Sequence, residues 1–248
     1  MRKLSPTKAI SHALNSVWTF RQAALRIALP WLPVLLLCGL ADVYFVPPET
    51  APGEIPRVTP VQIAILPIVL VVTSSMSVSW QRFILRDEIG HGLRLDGYVL
   101  SYALFGFLLI VLVTIPVTLL LAIAIVAPPA VLLALPAIVL IVGAAVRLSI
   151  RFPAIALGER AFGFRDAWAA SAGNMWQCIG LLVLYLAIVL GCVLAAALLS
   201  GALSLIDRTL GLFLAVLAGS LLLQPFFAIL NASILTSLYG FFVEGRDF

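Results

Sequence analysis

Between Asp96 and Arg147 the chain runs through fifty consecutive residues without an Asp, Glu, Lys or Arg. As one straight helix this stretch would extend about 75 Å, at about 1.5 Å per residue. A bilayer core is about 30 Å thick and one crossing takes about 20 residues. The run is too long for one crossing and suits two, with Pro128-Pro129 near its middle as the reversal. This predicts an integral membrane protein with several spans.

The composition agrees. Sixty-three per cent of the 248 residues are hydrophobic and 10% are charged, against about 25% charged in a soluble domain. A single membrane domain, 1–248, leaves little room for a soluble partner domain. The net charge of +4 comes from basic residues clustered at the ends of apolar segments. Anionic lipid headgroups are therefore the expected counter-charge, and nucleic acid is not. Cys38, Cys178 and Cys192 sit in or beside spans at unrelated spacings and read as small apolar residues. The first apolar run begins only near Ile27, after a long basic region and without a small-x-small site. It reads as an uncleaved span rather than a signal peptide.

Hydropathy predicts spans at 27–46, 61–80, 103–126, 130–150, 179–204 and 211–230. The connector 47–60 is rich in proline and predicts an irregular loop. Thirteen of the fifteen Lys and Arg residues fall on one side of this scheme; Arg57 and Arg208 fall on the other. The positive-inside rule places the thirteen in the cytoplasm. Both termini then lie in the cytoplasm, which requires an even number of spans. The stretch from Thr209 to Val243 exceeds one upright helix, so Gln224-Pro225 predicts a kink, with the end projecting into the interface. Arg147, inside the fourth span, must snorkel or meet a partner.

Residues 5–26 predict an amphipathic surface helix, capped by Ser5 and opened by Pro6. Ile10, Leu14, Val17 and Leu25 lie near one face; Lys8, Ser11, His12, Asn15 and Gln22 lie near the other. The helix is expected in the headgroup layer, with Trp18 and Arg21 at the boundary. A helical extension of the first span is the alternative.

Two loops on the basic side share a pattern. One reads Glu88, three residues, Gly92-Leu93-Arg94, Leu95, Asp96-Gly97-Tyr98, then Ser101. The other reads Glu159, three residues, Gly163-Phe164-Arg165, Asp166-Ala167-Trp168, then Ser171. Each follows an Arg-Phe pair, Arg82-Phe83 or Arg151-Phe152, and a degraded third copy ends in Glu244-Gly245. The fold class that follows is all-α: a polytopic bundle of six transmembrane helices as three tandem parallel hairpin repeats, each with a cytoplasmic interfacial helix. The units are approximately 5–88, 96–159 and 166–244. Asp96 and Asp166 are expected to cap the next helix. Tyr98 and Trp168 suit the aromatic belt. A functional ring of Glu88, Glu159 and Glu244 with nearby arginines is the sharper reading of the same motif.

The segments Trp80-Gln81-Arg82-Phe83-Ile84-Leu85 ending in Glu88, and Ala154–Arg160 leading to Phe164-Arg165-Asp166-Ala167-Trp168 and Gly173-Asn174, carry a resemblance. The chain resembles a loose group of small six-span bacterial inner-membrane proteins. These include the membrane domain attached to some glycerophosphodiester phosphodiesterases. The resemblance covers most of the chain in layout and implies a non-catalytic membrane module in the bacterial inner membrane. The phosphodiesterase barrel has no counterpart in this sequence, so that activity is not implied. A layout of three two-span repeats is also similar to mitochondrial carriers, but their Pro-x-acidic-x-x-basic signature is absent.

The only histidines, His12 and His91, lie in separate segments. No metalloprotease helix, phosphate-binding loop, nucleophile elbow or Cys-x-x-Cys occurs. Asp87, Glu88 and His91 share a loop but match no common metal spacing. No catalytic residue, metal or cofactor is expected. Arg82, Glu88, Arg147, Arg151, Glu159, Arg165 and Trp168 are candidate lipid or partner contacts. Arg147 and Arg151, four apart, share a face that can bind a lipid phosphate or snorkel. The second span carries Thr73, Ser74, Ser75, Ser77 and Ser79. The sixth carries Gln224 and Asn231, seven apart on one face beside the proline. These polar residues either pack helices together or line an intramembrane site. The leading expectation is a structural or interaction module that contacts anionic lipids or a partner membrane protein. The alternative is a small transporter or lipid-handling protein with a path between the repeats.

Overall fold

Backbone groups in hydrocarbon have no water to bond, so an apolar run of membrane length must close its own hydrogen bonds as helix. The computed structural model describes residues 3–45, 59–88 and 92–247. Most of the predicted connector 47–60, together with Arg2, Arg57 and His91, lies outside them. The described residues form helices and no strand. In chain order the helices are α1 Pro6–Thr19, α2 Arg21–Ala28, α3 Leu32–Phe45, α4 Pro60–Arg86, α5 Gly97–Val126, α6 Val131–Leu148, α7 Arg151–Leu157, α8 Phe164–Ala170, α9 Met175–Ser204, α10 Arg208–Leu217 and α11 Gln224–Phe242.

Six helical stretches among the described residues are long and apolar enough to cross a bilayer: Arg21–Phe45, Pro60–Arg86, Gly97–Val126, Pro128–Leu157, Met175–Ser204 and Arg208–Phe242. Each contains or largely covers a predicted span and runs further toward the arginine-rich end. Their apolar windows are mostly unburied; only 6% of the windows in α5 and in α9 is covered by protein. Leu133 and Leu198 are more than 70% exposed on helices with no polar face. Such surfaces are stable in lipid and not in water. The chain is a multi-pass membrane protein.

Helix ends follow local chemistry. Thr59 opens α4 with a reciprocal capping box to Gln62. Asp96 opens α5 by accepting the N–H groups of Tyr98 and Val99. A 3₁₀ turn at Pro128–Ala130 reverses the chain between α5 and α6, as the paired prolines predict. Asp166 departs from expectation. It lies inside α8 and accepts the N–H of Gly163, while Asn174 is the residue that precedes α9. Ser5 precedes α1, yet its hydroxyl bonds Thr7 Oγ1 at 3.2 Å instead of the backbone.

Neighbouring helices pack in a ring: α3 on α4, α4 on α5, α5 on α6, α6 on α9, α9 on α10, and α10 back on α3. Inside the arginine-rich half sits α11, packed on α4, α1 and α7. Between Ala228 and Phe241 every residue of α11 is buried except Asn231. The sequence had this end projecting into the interface; it is instead the axis of the bundle. The apolar residues of α11 have a hydrophobic surface of α1 and α4 to meet, which the linear pattern does not reveal. Ala9, Ile10 and Ala13 bury one face of α1 against this core. Lys8, Ser11 and Asn15 face outward as expected, but the His12 ring reaches Ser237 Oγ of α11 at 3.0 Å and Leu25 is exposed. The chain breaks from helical geometry at Phe20, and α2 then continues into α3. Residues 5–26 are thus one packed helix plus an extension of the first span.

The last span bends by a wider turn. Ala218–Leu223 is a π turn directly before Gln224-Pro225. Proline lacks the N–H and its ring crowds the preceding turn, and a widened turn accommodates both. Gly39 of α3 presses on this turn so closely that a Cβ there would overlap Ser220 Oγ.

Candidate functional site

Polar residues that the sequence scatters over two spans converge on one cavity of about 770 Å³. α4 contributes Thr73, Ser74 and Ser77, and the last span contributes Gln224 and Asn231. The α4 residues follow helical spacing, 73, 74 and 77, so they form one stripe. Gln224 and Asn231 fall two turns apart on a regular helix and share a face. Thr73 turns its hydroxyl onto the carbonyls of Val69 and Leu70, at 2.8 and 3.2 Å. Its methyl and the Ser74 and Ser77 side chains then meet the cavity. No charged residue lines it.

The rest of the wall is apolar or aromatic. Val193, Ala196 and Ala197 of α9 face Ala215, Gly219 and Leu223 of the last span. Tyr102, Phe152 and Tyr185 close the arginine-rich side. From Ala215 to Asn231 the cavity follows the last span for about 24 Å, at about 1.5 Å per residue. It therefore extends through much of a bilayer's thickness, with small apolar side chains at one end and hydrogen-bonding groups at the other. Gly219 places the π turn itself in the wall. Asn231 and Tyr185 also line a cleft of about 70 Å³ that continues toward Val146, Ser149 and Leu238.

Among the wall residues that sequence reasoning missed are the aromatics Tyr102, Tyr185 and Phe152. The signal was present: Tyr102 and Tyr185 are polar-tipped aromatics inside otherwise apolar runs. Gln81 donates to the Tyr102 hydroxyl at 3.2 Å, which fixes that ring. Phe152 packs against it at a 44° tilt, with centroids 4.5 Å apart.

The basic-side candidates occupy separate environments at the arginine-rich end. Arg82 is buried and grips Glu88 with two hydrogen bonds of 2.7 and 2.8 Å. It also donates to the carbonyl of Ala156 on α7 and lies over the Tyr98 ring. The guanidinium of Arg82 is the main reason the Glu88 carboxyl is held below its usual 4.5. At Asp96 burial acts upward, but Arg94 and the first N–H groups of α5 outweigh it and lower the pKa. Arg147 is buried too. It donates to Ser171 Oγ at 2.9 Å and to the Trp168 carbonyl at 2.6 Å, and its guanidinium lies 3.7 Å from the Trp168 ring centroid. It meets α8 rather than snorkelling, because α8 folds back over the end of α6 and supplies its acceptors.

Arg151, four residues on, lies over the rings of Phe164 and Phe105, at 4.5 and 5.3 Å. Glu159 accepts from the Tyr239 hydroxyl. Arg165 is exposed, and so is the Trp168 side chain. The two copies of the shared motif thus use matching residues differently: Arg82 pairs with Glu88, whereas Arg151 and Glu159 take separate partners. What the copies share is a helix end. Asp87 and Gly158 both adopt positive φ, and the N–H of the following glutamate bonds back into the last turn. Glu244 bonds back likewise, to Tyr239, ahead of a positive-φ Gly245.

Fold and cavity together define a helical multi-pass membrane protein with an uncharged, polar-edged open cleft among its helices. Comparison with protein-family models, with curated proteins and with solved structures finds no match.

Proposed function

We propose that this protein binds an amphipathic, lipid-like molecule between its membrane helices, as a lipid-handling protein or small transporter. The observation that carries this reading is the convergence of Gln224 and Asn231 with three α4 side chains on one 770 Å³ cavity. An amide at membrane depth is costly unless it meets water, protein or ligand. Asn231 is the one residue that α11 turns outward from its buried run. The wall offers hydrogen bonds without charge, which suits a hydroxyl, amide or ester group carried on an apolar body. The reading needs no catalysis, and we take the protein to be non-catalytic.

The arginine asymmetry supports placing it in the bacterial inner membrane, the location that the six-span resemblance implies, with both ends cytoplasmic and three parallel hairpins. A second reading, docking of a partner or an anionic lipid surface on the basic face, draws on exposed Arg160, Arg165 and Trp168.

The test is the lipid content of purified full-length protein. Wild type should retain one amphipathic species through detergent exchange. Gln224→Leu and Asn231→Leu should lose it, and lose any uptake in proteoliposomes, at unchanged membrane insertion. Retention in both variants at the wild-type level would refute the proposal.

A further inference from the structure

A second recess lies at the arginine-rich end, lined by residues of α5 and α7 other than those that line the intramembrane cavity. It measures about 460 Å³ and is lined by Tyr98, Ser101, Arg151, Gly158, Glu159 and Arg160. Its chemistry is the opposite of the first: two guanidinium groups and a hydroxyl surround it. Arg151 has no structural use that matches its cost. Arg82 and Arg147 both spend their N–H groups on carboxylate, carbonyl or hydroxyl oxygens. By contrast the Arg151 Nε is sealed from solvent without a hydrogen-bond partner among the described residues. None of their carboxylates forms an ion pair with it. Phe105 and Phe164, whose ring centroids are 5.4 Å apart, pack together against one side of it. Glu159, the one acid in the wall, is engaged by Tyr239 of α11. A guanidinium braced on one side by two rings, and without an oxygen acceptor among the described residues, can offer its terminal N–H groups to a phosphate or similar oxyanion.

We propose that this recess binds a phosphate group, with Arg151 as the main ligand and Arg160 and Ser101 as auxiliaries. The phosphate can belong to a lipid headgroup or to a soluble molecule. The proposal does not rest on the intramembrane cavity and can stand or fall without it.

The experiment uses full-length protein in nanodiscs of phosphatidylcholine, with phosphatidylglycerol added as the lipid probe and inorganic phosphate as the soluble one. Bound lipid is counted by native mass spectrometry, and phosphate is read as a thermal shift. Arg151→Gln should weaken binding about tenfold or more, the size of a lost charge-assisted contact. Ser101→Asp leaves Arg151 in place but fills the recess with an internal carboxylate, and should block binding while the protein stays folded. Arg26→Gln removes an exposed charge outside the recess and should leave binding unchanged. Response to the lipid alone identifies a headgroup site; response to inorganic phosphate as well identifies a general phosphate site. Equal losses in Arg26→Gln and Arg151→Gln would reduce the effect to surface charge and overturn the proposal. So would wild-type binding in Ser101→Asp, which decides the matter if Arg151→Gln does not fold.

Discussion

Arg82, Arg147 and Arg151 all stand where an apolar helix reaches the basic side, and each is accommodated by a different kind of group. Arg82 ties the end of α4 to Glu88 and to α7, so Arg82→Gln removes two charge-assisted bonds and leaves Glu88 facing other charges. The Glu88 side chain remains 40% exposed, which screens part of the loss. A decrease of about 1–3 kcal/mol in unfolding free energy is expected, measured by denaturant unfolding in mixed micelles. The same pair gives stability a pH dependence. The folded pKa of Glu88 is lowered from 4.5, so its contribution is complete above about 4.5 and disappears as pH falls through the lowered value. Arg82→Gln should flatten thermal stability over that acidic window, and an unchanged acid slope would disprove the linkage. Gly158 adopts φ +79°, and an added Cβ would lie 2.8 Å from Tyr98 Cε1. Gly158→Ala should therefore destabilise by about 1–2 kcal/mol, whereas the same change at Gly97, which has open space, should cost far less.

Elements show where local chemistry decides and where packing does. The opening of α5 was legible because Asp96 precedes an unbroken apolar run, and a carboxylate there meets free N–H groups. The same motif misleads at Asp166. A second short helix, α8, intervenes before α9, and nothing in Phe164–Ala170 announces that it stops after seven residues. Asp96→Ala should cost about 1 kcal/mol and fray the start of α5, seen as faster amide exchange at Tyr98 and Val99. The distortion in the last span was legible from Gln224-Pro225, but its form as a π turn was not, since proline is compatible with several local solutions. Pro225→Ala restores an N–H and permits regular α geometry across 218–223, turning the preceding segment relative to Gln224. It should leave the protein folded and reduce retention of the cavity ligand. Undiminished retention would separate the π turn from the site.

At the scale of the molecule, the six long helices could be read from uncharged length alone, whereas their mutual arrangement could not. Lipid and protein interior are both apolar, so the apolar residues of α11, most of them buried, and those of α5, mostly lipid-facing, look alike in the sequence. The polar residues of the cavity could be picked out one by one, but bringing Thr73 opposite Asn231 depends on helix rotations that no sequence period encodes. For α1 the small residues Ala9 and Ala13 were the available hint of close packing, outweighed by the more visible polar face. The ring of helices around the cavity has a function only if it stands across a bilayer, with its arginine-rich end on one side. Fusing topology reporters after residue 55 and after Phe248 tests this directly. The account predicts opposite sides, with the reporter after Phe248 in the cytoplasm. Reporters on the same side, or a tail outside the cytoplasm, would contradict it.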